Sequence, residues 1–436
     1  MFERAATFSE SLFVICLLCI LLIPFAWMGL AMMQTGLNRA RGAAHAALSA
    51  LLAATVALLA YALFGFAVQG IPRSAAPAWH SAGKAWSLVG AGPLFMHGFV
   101  LSALPASLTF LFLLFSVALA AIPATSTGAE RWRLVPMAIS TAFFAAVIFP
   151  LFSHWVWGGW LGQLGVNAAL GAGTLDPGGS GCIQASAGVA ALSIACILGP
   201  RLHKFASDGI PNATPGHDAP AVLLGCVLAW IGWMGINIAG AILFAGAQFA
   251  QLPAVAVNTT LCAAAAFQSV LWITRVRFGR PDASLSANGC IGGLAASSAT
   301  ALFLSPLEAI VVGLIAGALV LLSIDWIESK LHIDDPAAAI SVHGVGGLVG
   351  LLVAGLVARP LHATAVAHGQ FLAQLLAVAA LLGLIFPLAL GWNWLLHRVL
   401  PQRVPTEGER HGIDLYELGS GAYPEFVTHH EDFTQH

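Results

Sequence analysis

The sequence predicts an all-α integral membrane protein of eleven transmembrane helices, N-terminus out and C-terminus in, with an internal repeat that its five-helix offset inverts. Three observations carry this. Hydrophobic residues make up 59% of the 436 and charged ones 8%, with a mean hydropathy of +0.87, more apolar surface than a water-soluble chain can hide. Apolar runs of about 20 residues, the length that crosses the hydrocarbon core, recur along the whole chain. Two of those runs, the fifth and the tenth, open on the same pattern, Asp-Pro and then a polar side chain eight residues after the Asp.

The expected spans lie at 10–33, 43–70, 93–122, 133–157, 182–199, 219–247, 252–274, 285–304, 306–327, 337–358 and 369–397. The first run, from Leu12 to Met33, exceeds a signal-peptide core and has no small-x-small cleavage site before its polar flank, so it is expected to be retained. Only Ser305-Pro306 separates the eighth from the ninth. With the N-terminus outside, thirteen of the 17 Lys and Arg face inward, and Arg4, Arg73, Lys84 and Arg359 face outward, as the positive-inside rule requires. Residues 1–399 thus form one transmembrane domain. Residues 400–436 form a polar cytoplasmic tail too short for a second domain.

Composition also excludes functions. A net charge of −2 without a polybasic tract argues against nucleic acid as a partner. All seven Cys fall inside apolar runs without metal-ligand spacing and read as small buried hydrophobes. No Ser–His or His-rich zinc constellation accompanies the one mid-span histidine, so neither an enzyme nor a cofactor is expected. Most of the 46 Gly, as in "GVGGLVG" and "GCIGGLAASSA", are explained by close helix packing.

The two Asp-Pro segments are "DPGGSGCIQASAGVAAL" from Asp176 and "DPAAAISVHGVGGLVGL" from Asp335. Asp at an N-cap with Pro at N1 is a helix-start signature. A five-helix offset starts one helix from the outer surface and the other from the inner. Eight residues at about 1.5 Å each carry the chain about 12 Å inward from either side, so Gln184 and His343 are expected to meet near the midplane of a core about 30 Å thick. Sites at the midplane of inverted repeats recur in transport proteins. An ionisable residue at that depth defaults to function, the alternative being an imidazole hydrogen-bonded within the bundle. His343 is expected neutral, with Gln184 holding its tautomer. Such a pair in an apolar lumen suits a small uncharged solute, or a cation that can first lose a proton.

At these residues the chain resembles the ammonium transporter/methylammonium permease/Rhesus family. The blocks "PLFSHWVWGGWLGQLG", "LDPGGSGCIQASAGVAAL", "WIGWMGIN", "FGRPDASLSANGCIGGLAA", "IDDPAAAISVHGVGGLVG" and "EGERHGIDLYELGSGAY" stand in family order and spacing. The resemblance implies a homotrimer of eleven-helix subunits in the plasma membrane, each with its own ammonium pore and an inverted repeat of helices one to five and six to ten. It implies that Trp157 lines an outer ammonium vestibule by cation–π attraction, unless it is an interface-belt Trp. Asp176 matches the family's essential carboxylate near the pore mouth, and His343 the second of its twin histidines. Asp335 caps the inner helix.

The chain also departs from the family. Gln184 replaces the first twin histidine, and the vestibule serine falls on Gly240. One gate phenylalanine maps to Ile236. The other falls on Ser116, with Phe115 beside it and Phe112 one turn earlier; a one-residue shift would select Phe115. In the tail "LGS" (418–420) replaces the family's "HGE", weakening the motif for a PII-type regulator. Three functions follow: an ammonium conductor with an altered proton path, an ammonium sensor signalling through a separate partner, and a carrier of another small solute such as methylamine or CO2.

Overall fold

The computed structural model describes residues 9–70, 78–81, 83–101, 104–359 and 366–423; Arg4, Arg73 and the end of the tail from 424, all part of the expectations above, lie outside them. The chain is a helical bundle of α1 (Glu10–Leu37), α2 (Ala40–Gln69), α3 (Pro105–Thr127), α4 (Leu134–Val156), α5 (Ser180–Leu198), α6 (Ala219–Ala245), α7 (Phe249–Phe278), α8 (Ala283–Thr300), α9 (Pro306–Leu331), α10 (Ile340–Val357) and α11 (Gln370–Val399). All except α8 are long and apolar enough to cross a membrane, ten among the described residues. In α8, "ASLSANGCIGGLAASSAT", every residue from Ser286 to Thr300 is buried. Its small and hydroxyl side chains serve packing inside the bundle, which lowers its hydropathy. The capping box of Ser305 and Glu308 starts α9 with Pro306 at its first position, so the Ser305-Pro306 break is a true helix boundary.

Two expectations are corrected. The third span does not begin at residue 93: α3 starts twelve residues later. The stretch before it holds a short turn, Leu94–Met96, with Phe95 and Met96 at φ of 56° and 55°. An apolar loop has the composition of a span, and only Pro105 marks the helix start. The stretch between α2 and α3 also carries a small antiparallel hairpin, β1 (Ala78–Ser81) with β2 (Lys84–Ser87), within an otherwise all-helical architecture.

The second correction concerns the Asp-Pro signature. Neither Asp is an N-cap: α5 begins four residues after Asp176, and α10 five after Asp335. Each Asp instead opens a turn closed from residue i+3, Gly179 N–H to Asp176 O and Ala338 N–H to Asp335 O, at 3.3 and 3.0 Å. That third residue is left-handed in both copies, Gly179 at φ 86° and Ala338 at 58°. Both helices then start with a π-helical turn, Ser180–Ala185 and Ile340–Val345, whose wide spacing is frequent at functional sites.

Helices five apart in sequence pack on each other. α1 lies along α6, and α5 crosses α10. At the α5–α10 crossing a Cβ on Gly188 would stand 2.3 Å from Gly344 Cα, so glycine there is what lets the two backbones approach.

The tail from residue 400 to 423, with α12 (Thr406–His411), packs onto the bundle. Trp132 Nε1 donates to Gln402 Oε1 at 3.1 Å, Arg403 donates to Leu198 O and Pro200 O, and the Asp414 carboxylate accepts from Ala44 N and His45 N at 3.1 and 2.7 Å. Asp414 thereby caps the start of α2 from a distant part of the chain.

Candidate functional site

The α5–α10 crossing brings Gln184 and His343 together. His343 Nδ1 lies 2.8 Å from Gln184 Oε1. Oε1 can only accept, so Nδ1–H is the donor and Nε2 carries the imidazole lone pair. Both residues are buried, at 1% and 4% exposure. Gln184 Nε2 has no partner among the described residues. Trp233, on α6, lies flat beside the His343 ring at 6.3 Å and 29° and is itself fixed by Nε1–H donation to Ser298 Oγ at 3.2 Å.

On one side of this pair three aromatic rings meet. Trp157 stacks on Phe244 at 4.2 Å and 8°, and Phe112 meets both edge-on, at 6.2 and 5.4 Å. Asp176 joins this cluster to the pair. Its backbone oxygen accepts from Trp157 Nε1 at 2.7 Å, and its Oδ2 accepts from Gly181 N and Cys182 N in the first turn of α5. Asp176 Oδ1 is buried without a partner among the described residues.

The other expected residues fall as follows. Ile236 is fully buried on α6. Gly240 faces Pro177 and Gly178, where a Cβ would come within 2.2 Å of Pro177 O; it presents nothing to the aromatic cluster, and its lack of a side chain is a packing requirement. Phe115 turns toward α1, edge-on to Trp27 at 5.1 Å, with Trp27 Nε1 donating to its carbonyl. Phe112, one turn earlier, is the α3 ring in the aromatic cluster. Trp233 and Phe244 were missed, because an aromatic in a uniformly apolar helix has no periodic signal to single it out.

On the opposite side His343 borders a void of about 30 Å³, whose walls include Leu30, Met33, Ile122, Ile291 and Val342. That is room for about one water-sized molecule. Leu37 and Asn288 line both this void and a larger cavity of about 420 Å³ edged by Asp282, Asp334 and Asp335. Asp335 Oδ2 accepts from Ile340 N at 2.7 Å and Oδ1 from Thr127 Oγ1 at 2.8 Å, tying the first turn of α10 to the end of α3. Burial, opposed by these bonds, raises the Asp335 carboxyl.

Its neighbour Asp334 anchors an ion network. Arg201 donates to both Asp334 carboxylate oxygens at 2.9 Å and to Glu130 at 2.8 Å, and Arg39 pairs with Glu130. Burial alone raises Asp334, but the Arg131 charge and the Arg201 bonds and charge together outweigh it and hold the carboxyl at about 2. Glu130 is likewise held low by Arg201 and Arg39 against its burial. Among the described residues no group of three or more His, Cys, Asp or Glu is placed to hold a metal.

Comparison with known proteins places this geometry. The model of the Ammonium Transporter Family matches residues 14–423. The ammonium transporter Amt2 of Archaeoglobus fulgidus is 34% identical over 431 residues, covering 95% of this chain and 88% of that protein. The ammonium transporter of Bacillus subtilis is 28% identical, covering 93% and 96%. Among solved structures, one described as a sensor Amt protein superposes with a TM-score of 0.83 at 28% identity, covering 93% of this chain and 97% of that one. Saccharomyces cerevisiae Mep2, at 23% identity and a TM-score of 0.73, shares the fold over 90% of each chain. A multi-pass bundle matched to the family model over nearly its whole length, with a relative above 30% identity, leaves one assignment: the chain belongs to the ammonium transporter family.

Proposed function

We propose that the protein conducts ammonium across the plasma membrane as ammonia, through a pore in each subunit of a homotrimer. In this reading α8 is the eleventh crossing, and the N-terminus lies outside and the tail inside. The observation that carries it is the 2.8 Å Gln184–His343 bond, buried between an aromatic cluster on one side and a void leading to an open cavity on the other.

Ammonium gathers at the rings of Trp157, Phe112 and Phe244 by cation–π attraction. A fixed charge would face a penalty of many kcal/mol between the rings and the pair, so the ion gives its proton back to water on the side of the rings and ammonia alone continues. His343 Nε2, an acceptor, takes an N–H of ammonia and hands the molecule to the void. The larger cavity, edged by carboxylates, is where ammonia meets water again and takes a new proton from the solvent on that side. Gln184 has no usable pKa, so the proton has no second imidazole to follow, and flux is uncoupled from proton movement. Currents on solid-supported membranes after an ammonium pulse test this. Gln184→His is expected to move more charge per pulse than the wild type, and equal currents would contradict the altered proton path.

The likeness to a sensor Amt protein supports a second reading, an ammonium sensor with little conduction that signals through a separate partner. The tail packed on the loops, with "LGS" in place of the regulator motif, is the surface where a PII-type or other partner would act. Wild-type flux in liposomes separates the two.

A further inference from the structure

We propose that the stretch between α2 and α3 is seated in the lipid bilayer. The turn around Phe95 and the β1–β2 hairpin present an apolar surface that lies in the interfacial layer, where acyl chains meet headgroups. The inference needs only a membrane-spanning chain, which the family match and the apolar helices provide, and it is independent of the conduction reading.

The loop is held from its inner side. Gly90 N–H donates to Val68 O and Gly92 N–H to Ala67 O, at 2.8 and 2.9 Å, tying it to the end of α2. Phe99 enters the bundle, edge-on to Phe66 at 4.9 Å and tilted against Phe110 at 5.4 Å. With that ring inside, Leu94, Phe95 and Val100 are left outside, at 54%, 60% and 61% exposure. Phe95 and Met96 both hold left-handed backbone, which residues other than glycine rarely adopt. A strained turn that exposes a phenylalanine gains nothing in water.

The surroundings say what covers this surface. The Phe95 ring lies edge-on to Phe64 of α2 at 5.4 Å, and Phe64 is itself exposed, as are Leu59 and Leu63 on the same helix. The loop surface therefore continues the outer side of a membrane-spanning helix. Contacts between helices or subunits inside a bilayer favour small residues that let backbones close up. This surface is leucine, phenylalanine and valine instead, side chains suited to filling space among acyl chains. The hairpin adds the exposed Trp79, at the rim of a recess of about 320 Å³ whose other walls include Trp86, Leu88 and Trp160. Indoles are the side chains that membrane interfaces enrich.

Charge agrees. From residue 78 to residue 101, Lys84 is the only Asp, Glu, Lys or Arg, and its ammonium group donates to Asn167 O. Seating therefore draws on apolar burial and not on attraction to anionic headgroups.

Depth-dependent quenching in proteoliposomes tests this on the full-length protein. The exposed Cys196 is replaced by Ala, and a bimane label is placed through Phe95→Cys, Val100→Cys or, as a water-facing control, Ser207→Cys on an exposed polar turn. A nitroxide high on the acyl chain of phosphatidylcholine is expected to quench the labels at 95 and 100 at least about threefold more than the label at 207. Iodide on both sides of the bilayer should give the reverse order. Exchanging about a third of the lipid for phosphatidylglycerol should change the nitroxide quenching less than about 1.5-fold. Two labelled positions guard against a local disturbance at either one. Iodide quenching at 95 and 100 as strong as at 207 would put the surface in water and overturn the proposal. Shielding of both labels from both quenchers would mean that a second copy of the chain covers the surface, which overturns it equally. A steep dependence on the anionic lipid would overturn the apolar basis of the contact.

Discussion

Asp176 and Asp335 grip their helices in the same way: in each, Oδ2 accepts the backbone N–H five residues on, from Gly181 at 2.9 Å and from Ile340 at 2.7 Å. The two turns share their closing bond and their left-handed third residue, so a single device orients both π turns that carry Gln184 and His343. Replacing either Asp by Ala removes an acceptor from the helix start and is expected to cost about 0.5–2 kcal/mol, with Asn losing less because its carbonyl still accepts. Calorimetric melting of the purified variants checks this. An Ala variant that melts with the wild type would mean that the turn holds without its carboxylate.

The crossing of α5 and α10 predicts an asymmetry between two neighbouring glycines. A Cβ on Gly188 would lie 2.3 Å from Gly344 Cα, whereas one on Gly344 would meet Gly188 Cα at 3.5 Å, an ordinary contact. Gly188→Ala must push the helices apart, at a cost of about 1–3 kcal/mol, and should lower both melting temperature and flux. Gly344→Ala should leave both near wild type. Equal effects of the two substitutions would show that the crossing does not set the distance between Gln184 and His343.

Acid stability should report on Asp334. Its carboxyl is held at about 2, below its ordinary 3.8. A depressed folded value means stability that is present above the unfolded value and lost as pH falls through the folded one. The contribution is roughly 2 kcal/mol, fading between about pH 4 and about pH 2. Asp334→Asn also strands Arg201 and Arg131, so it should be less stable than wild type at neutral pH. Its melting temperature should nonetheless fall less steeply across that acid window. Parallel declines would place the acid sensitivity elsewhere.

How much of this was legible in the sequence depends on which force sets each feature. Of the eleven spans read from apolar runs, ten correspond to helices long and apolar enough to cross a membrane among the described residues, because length and hydropathy are what a bilayer demands. The third began too early because an apolar loop satisfies the same measure. The Asp-Pro repeat located the Gln184–His343 contact, although three of the eight residues counted as helix after Asp176 form a turn instead. The expectation of contact survived because both copies carry the same turn, so the error entered both sides equally. Helix counting back to the gate left Phe115 and Ser116 undivided. Only the packing of Phe115 on Trp27 separates them. Trp233 and Phe244 depend on three-dimensional stacking, which leaves no mark in a helix whose neighbours are all apolar.

Uptake of radiolabelled methylammonium into proteoliposomes, wild type against His343→Ala, tests the central claim most directly. Loss of the ring that accepts at Nε2 and holds Gln184 through Nδ1 should reduce selective uptake at least about tenfold, with the oligomer unchanged on size-exclusion chromatography. Selective uptake at the wild-type rate by His343→Ala would make the histidine a packing residue and contradict a pore that runs past it.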